Sequence, residues 1–118
     1  MPFSSIITLV KDDETPWKLT KVRDQGNFTD EQYETIIKPY WDFLESQFGF
    51  ISYTITFPQA NTKVCTLVCD DEEDAKHINS LITLGGAAKP HPTANAYINL
   101  ISELNSNVTK TWTVANTA

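Results

Sequence analysis

Residues 63–69 read KVCTLVC, and this short segment is apolar at both parities. In an extended strand Cys65, Leu67 and Cys69 share one face, while Val64 and Val68 share the other. A strand apolar on two faces has to be covered twice, so a sheet with one solvated side does not suffice. The preceding segment FISYTITF (50–57) alternates instead, with Ile51, Tyr53, Ile55 and Phe57 opposite Ser52, Thr54 and Thr56. That is the pattern of a half-buried strand, and PQANT between the two is a loop of hairpin length.

The flanking elements limit what the cover can be. SSIITLVK (4–11) is β-branched and apolar and reads as a strand. WKLTKVRD (17–24) is a second strand candidate, and we lean towards it as the one that enters the sheet before the first helix, with 4–11 as an added edge or dimer strand. Thr29 and Gln32 form a capping box, with Phe28 and Tyr33 placed as a hydrophobic staple. Tyr33, Ile36, Ile37, Tyr40, Leu44 and Phe48 follow at helical spacing. Pro39 interrupts them and predicts a kink, and Gly49 suits the position just past the helix end. Asp70 with Glu73 opens a second helix over Ala75, Ile78, Leu81 and Ile82, stopped by Gly85 and Gly86. Ala94, Tyr97, Ile98, Ile101 and Leu104 mark a third helix. VTKTWTVA (108–115) is a last strand with Val108, Trp112 and Val114 on one side.

Strand, helix, strand, strand, helices, strand is the split βαβ order of an α+β, ferredoxin-like antiparallel sheet with helices on one face. All 118 residues fit one such domain. The sheet face away from the helices then carries apolar side chains from more than one strand. A two-fold homodimer with sheets face to face, a dimeric α/β barrel, covers it most economically.

Composition excludes some partners. Fifteen acids against nine bases give a net charge of −6 and a pI near 4.7. Such a field repels nucleic acid and anionic membrane surfaces alike. No apolar run reaches the length of a membrane span. MPFSSIITLVK has no basic residue ahead of its apolar part and reads as a strand, so a cytoplasmic location is expected. Cys65 and Cys69 lie about 13 Å apart along one strand, too far for a disulfide, and read as small buried apolar residues. Asp70 to Asp74 lacks the alternation and the glycine of a calcium loop, and a helix N-terminus explains its charge. No metal site and no cofactor are expected.

The stretch FTDEQYETIIKPYWDFLESQFGFISYTITFPQANTKVCTLVCDDEEDAKHI resembles the antibiotic-biosynthesis-monooxygenase type of dimeric α/β barrel. The likeness lies in a helix ending at glycine, an SY strand, a hairpin and an acidic helix start, over roughly half the chain. It implies a ferredoxin-like protomer, a homodimer and, in many relatives, a pocket between sheet and helices. Some relatives oxidise small aromatic molecules without metal or organic cofactor; others degrade haem. The haem branch uses an Asn on its first strand and a Trp on its third, and neither stands in 4–11, 17–24 or KVCTLVC. No catalytic residue is carried over.

Candidate site residues are therefore chosen by chemistry. If sheet and helices enclose a pocket, Tyr53 and Trp112 on the sheet and Tyr33 or Tyr40 opposite are its natural lining. They suit a small apolar or aromatic molecule. His77, beside the buried stripe of the second helix, is the candidate base, although a boundary histidine is its commoner role. GGAAKPHP, with Lys89 and His91, could hold an anion or act as a lid but lacks phosphate-loop spacing. Two alternatives stand beside a ligand-binding homodimer. One is a cofactor-free monooxygenase or isomerase using Tyr53, Trp112 and His77. The other is an interaction or assembly module without a pocket.

Overall fold

A computed structural model describes residues 2–15, 17–18, 28–82, 91–105 and 107–116. Four strands, β1 (Phe3–Val10), β2 (Phe50–Gln59), β3 (Thr62–Cys69) and β4 (Thr109–Asn116), form one sheet in the order β2-β3-β1-β4. Every neighbouring pair is antiparallel. The helices are α1 (Asp30–Gln32), a π-helical turn (Tyr33–Ile37), α2 (Lys38–Glu45), α3 (Glu72–Ile82) and α4 (Pro92–Leu104). This is the ferredoxin-like α+β architecture, with one additional helix, and it is compatible with the dimeric α/β-barrel type.

The lean towards 17–24 as the sheet strand is overturned. Phe3–Val10 is a central strand, paired with β3 on one side and β4 on the other. Trp17 and Lys18 are not in a strand, and 19–24 lie outside the described residues. Trp17 is instead a plug at the sheet's end, buried to 6% exposure, with its Nε1 donating to the Ala60 carbonyl at 3.1 Å. The Lys11 ammonium, 5.1 Å from the Trp17 ring, donates to the Thr15 carbonyl and hydroxyl. Asn105 accepts from the Lys18 N–H and donates to its carbonyl, which ties this strap to the end of α4. An amphipathic indole gains more by sealing an open core end than by adding a strand.

The first helix starts as its sequence dictates. The Thr29 hydroxyl accepts from the Gln32 N–H at 3.0 Å, and Gln32 Oε1 accepts from the Thr29 N–H at 2.9 Å. The Phe28 and Tyr33 rings stack at 6.2 Å. Pro39 is accommodated through the π turn just before it, in which the Lys38 N–H reaches back to the Tyr33 carbonyl, five residues away. Widening the turn moves a carbonyl that would otherwise meet the proline ring. The helix closes at Glu45, so Phe48 falls beyond it and is 85% exposed. On α3 the capping acceptor is Asp71, not Asp70, taking the Asp74 N–H at 3.0 Å.

Gly49 turns the chain from α2 into β2 at φ 82°, where only glycine is unstrained. A Cβ there would lie 2.1 Å from Asp74 Oδ2 and 2.8 Å from Asp74 Cβ. Gly49→Ala is expected to cost about 1–3 kcal/mol. A urea titration reads this as a lower midpoint at unchanged slope; an unmoved midpoint would show that the turn tolerates a side chain.

The two sheet faces differ in kind. Ile7 and Leu9 of β1 and Cys65, Leu67 and Cys69 of β3 are buried beneath the helices. Asn79 of α3 pins that layer by donating to Ser5 Oγ and the Thr113 carbonyl. The other face is amphipathic rather than broadly apolar. Its rows run Ser52–Val68–Ser4–Ala115, Thr54–Thr66–Ile6–Thr113 and Thr56–Val64–Thr8–Thr111. Half-buried Ile6, Val64 and Val68 make an aliphatic strip along the central strands, flanked by exposed threonines on both edges.

Candidate functional site

Between sheet and helices lies a cavity of about 20 Å³. Its floor is Ile7 and Leu9 of β1 with Lys63 and Cys65 of β3 and Ile55 of β2; Tyr40 and Trp41 of α2 and the Tyr97 to Ile101 face of α4 roof it. Strand alternation puts Lys63, Cys65 and Leu67 on one face, so the lysine at the head of β3 is directed inward with the core.

Aromatic rings dominate the roof. The Tyr40 and Tyr97 centroids are 4.1 Å apart, and Trp41 meets Tyr40 at 5.2 Å, Tyr97 at 5.9 Å and Tyr53 at 4.8 Å. Tyr40, Trp41 and Tyr97 are almost wholly buried, whereas Tyr53 at the β2 edge is 39% exposed. The Trp41 indole N–H has no hydrogen-bond partner. Its attraction still acts to lower the Tyr97 phenol's pKa, so it faces that oxygen without reaching hydrogen-bond geometry.

The low-dielectric setting favours the neutral form of each titratable group. Burial raises both the Tyr40 and the Tyr97 phenol, and the neighbouring Cys65 raises them further. Burial pushes the Cys65 thiol up to about 12, partly offset by Lys63. Burial lowers the Lys63 ammonium to about 8, against an opposing pull from Cys65. The site thus offers two phenol donors, an indole donor and an amine of reduced basicity within an apolar shell. Among the described residues, no three His, Cys, Asp or Glu are grouped as metal ligands would be.

Of the residues chosen from sequence, Tyr40 and Tyr53 are brought together around Trp41. Tyr33 is half-buried in the π turn and stacks on Phe28. Trp112 sits on β4, at the opposite sheet edge from Tyr53 and three strand spacings, roughly 14 Å, away. It is half-buried, and its buried Nε1 is without a hydrogen-bond partner. His77 is exposed on α3. His91 serves the fold: its Nδ1 accepts from the Thr93 N–H to cap α4, and its ring stacks on Phe43 at 4.1 Å. The remainder of the GGAAKPHP segment, with Lys89, lies outside the described residues up to residue 90.

Lys63, Trp41, Tyr97 and Cys65 were not singled out from sequence as site residues. Trp41 and Tyr97 are indistinguishable there from ordinary core aromatics on amphipathic helices. Lys63 carried a readable signal, since it shares the parity of Cys65 and Leu67.

No protein-family model matches the sequence, and none of the curated proteins matches it. A solved structure to which the chain is similar is that of SnoaB, a cofactor-independent oxygenase from Streptomyces nogalater, in a mutant form. The superposition covers 99% of this chain and 95% of that one, at 11% identity and a TM-score of 0.49. Nothing about activity, ligand or assembly follows from a likeness at that level.

Proposed function

We propose that this domain acts in the cytoplasm as a homodimer and binds a small apolar or aromatic molecule between its sheet and its helices. The observation that carries the reading is the aromatic cluster of Tyr40, Trp41 and Tyr97, with Tyr53 packed on Trp41; the first three border a cavity, and one buried donor, Trp41 Nε1, is left unsatisfied. A buried donor without an acceptor costs about 1–3 kcal/mol, which a ligand or water acceptor recovers. The aliphatic strip of Ile6, Val64 and Val68 between threonine rows supports the dimer, because methyl groups and hydroxyls together suit a second copy of the same face.

A second reading, an interaction or assembly module that takes no ligand, is favoured by the cavity's size. About 20 Å³ is room for one water. Larger guests require the helix layer to yield. A cofactor-free oxygenase or isomerase, as the family resemblance implies, would draw on the aromatic cluster and on Trp112, the cross-strand partner of the cavity-floor residue Ile7, while His77 is exposed on α3.

Native mass spectrometry of the purified protein separates these readings. A dimer carrying an extra small-molecule mass is expected. A bare dimer that takes up no added aromatic compound would favour the assembly module, and a monomer would refute self-association through the open face.

A further inference from the structure

At one end of the molecule the close of α2 and the start of α3 meet across the Gly49 turn. The Asp70 N–H donates to the Gly49 carbonyl at 2.8 Å, Phe50 pairs with Cys69, and a Cβ on Gly49 would strike the Asp74 carboxylate. The turn itself is pinned. The Ser46 N–H donates to the Asp42 carbonyl, the Gln47 N–H to the Leu44 carbonyl and the Phe50 N–H to the Gln47 carbonyl. From this frame Phe48 projects at 85% exposure, and Ile51, in the β2 bulge, at 52%. The acidic run Asp70 to Asp74 adjoins the turn, and Glu45 closes α2.

We propose that this turn and the first residues of α3 form a docking surface for a basic segment of a partner protein, in which an apolar or aromatic side chain stands between lysines or arginines. The inference does not depend on the small-molecule site.

Local structure accounts for only part of the charge. Asp71 caps α3 by taking the Asp74 N–H, and Glu72 pairs with Lys76 at 3.3 Å. The Glu45, Asp70 and Glu73 side chains are exposed, and among the described residues none of the three has a hydrogen bond or an ion pair. Single apolar residues on a surface need no partner. Two on one turn, held in place by main-chain hydrogen bonds, lose little freedom when they are covered. A bulge re-aims a side chain in this way.

Charge selects the occupant. A second copy meeting this surface about a two-fold axis would set the acidic run against itself. Anionic lipid headgroups and nucleic acid are repelled by the same residues and by the net charge of −6. Lysines and arginines are attracted on approach, which speeds encounter, and the apolar side chain they flank covers Phe48 and Ile51, which slows release.

The test titrates a decapeptide, with a central leucine–phenylalanine pair between lysines and arginines, into the isotope-labelled full chain at pH 7. Saturable amide shifts are expected at Phe48, Ile51 and residues 70–73, weakening as salt is raised. Replacing the central pair by glycines should weaken binding about tenfold, and Phe48→Ser in the protein should do the same. That side chain is 85% exposed, so the variant should keep its circular dichroism spectrum and its urea midpoint. Glu73→Gln, a second variant, should weaken binding about threefold and flatten the salt dependence. A titration without saturation, or shifts as large around exposed Asp30 and Glu31 as at Asp70 and Glu73, would overturn the inference. Unchanged affinity in Phe48→Ser would overturn it too. If Phe48→Ser were monomeric where the unaltered protein is dimeric, the turn would belong to self-association and the inference would fall.

Discussion

Urea titrations between pH 7 and 12 should show stability rising from pH 8 to a maximum near pH 9, then collapsing above pH 10. Lys63 accounts for the rise. Its folded value of about 8 lies below its ordinary value of 10.5, so between those limits the unfolded chain binds a proton that the folded chain does not. Stability therefore increases with pH across that window, by about 1.4 kcal/mol per unit. The thiols act in the opposite sense. Cys65 is raised to about 12 from 9.0 and Cys69 to about 11, both chiefly by burial. Each keeps its proton in the fold after the unfolded chain has lost it, so its contribution is intact below pH 9 and drains away above. From pH 10 the raised Tyr40 and Tyr97 phenols add two more slopes of the same sign. With four groups pulling against one, several kcal/mol are lost by pH 12, comparable with the whole stability of such a domain. A flat profile from pH 8 to 11 would show that these side chains are hydrated. Cys65→Ala should delay the fall and leave the rise below pH 9 in place.

Trp41→Ala is the substitution with the largest expected cost, about 3–5 kcal/mol. The residue is 1% exposed and its ring touches three tyrosines from α2, β2 and α4. Removing it empties the space where the helix layer meets the sheet edge, and α2 has few other anchors on β2. Trp41→Phe, which refills most of the volume and deletes only the N–H, should cost much less, because that N–H makes no hydrogen bond in the fold. Equilibrium denaturation of the pair decides the matter. A cost below about 1 kcal/mol for Trp41→Ala would mean that the layer closes over the gap.

Legibility from sequence followed the range of the interaction. The Thr29–Gln32 box and the Phe28–Tyr33 staple are local, and both stand as read. The parity of KVCTLVC is likewise a property of one strand, and it held down to Lys63. Tertiary choices were less visible. Nothing within 4–11 or 17–24 says which will sit between two partners; that depends on pairing with β3 and β4, more than 50 residues further along the chain. Phe48 continues a 3.6-residue period that the Gly49 turn cuts short. On β2, a bulge at Ile51 breaks the alternation that would have placed it with Tyr53 and Ile55. The site was half legible. Tyr40 and Tyr53 followed from aromatic periodicity, but the pairing of Tyr53 with Trp112 required strand order, and the order set them on opposite edges.

The irregular course of β2 has a bearing on the protein's behaviour in concentrated solution. Among the described residues β2 is an edge strand displaying Ile51 (52% exposed), Tyr53 and Phe57 (44%), and it combines apolar surface with main-chain groups that no described strand pairs, the features that let one chain template another. Its register with β3 is interrupted between Phe50 and Ser52 and again between Thr56 and Gln59, and Pro58 has no N–H to offer. Only residues 52–56 run in unbroken register, roughly 17 Å of strand. The stickier edge of the sheet is thus the one whose backbone is least able to seed fibrillar growth.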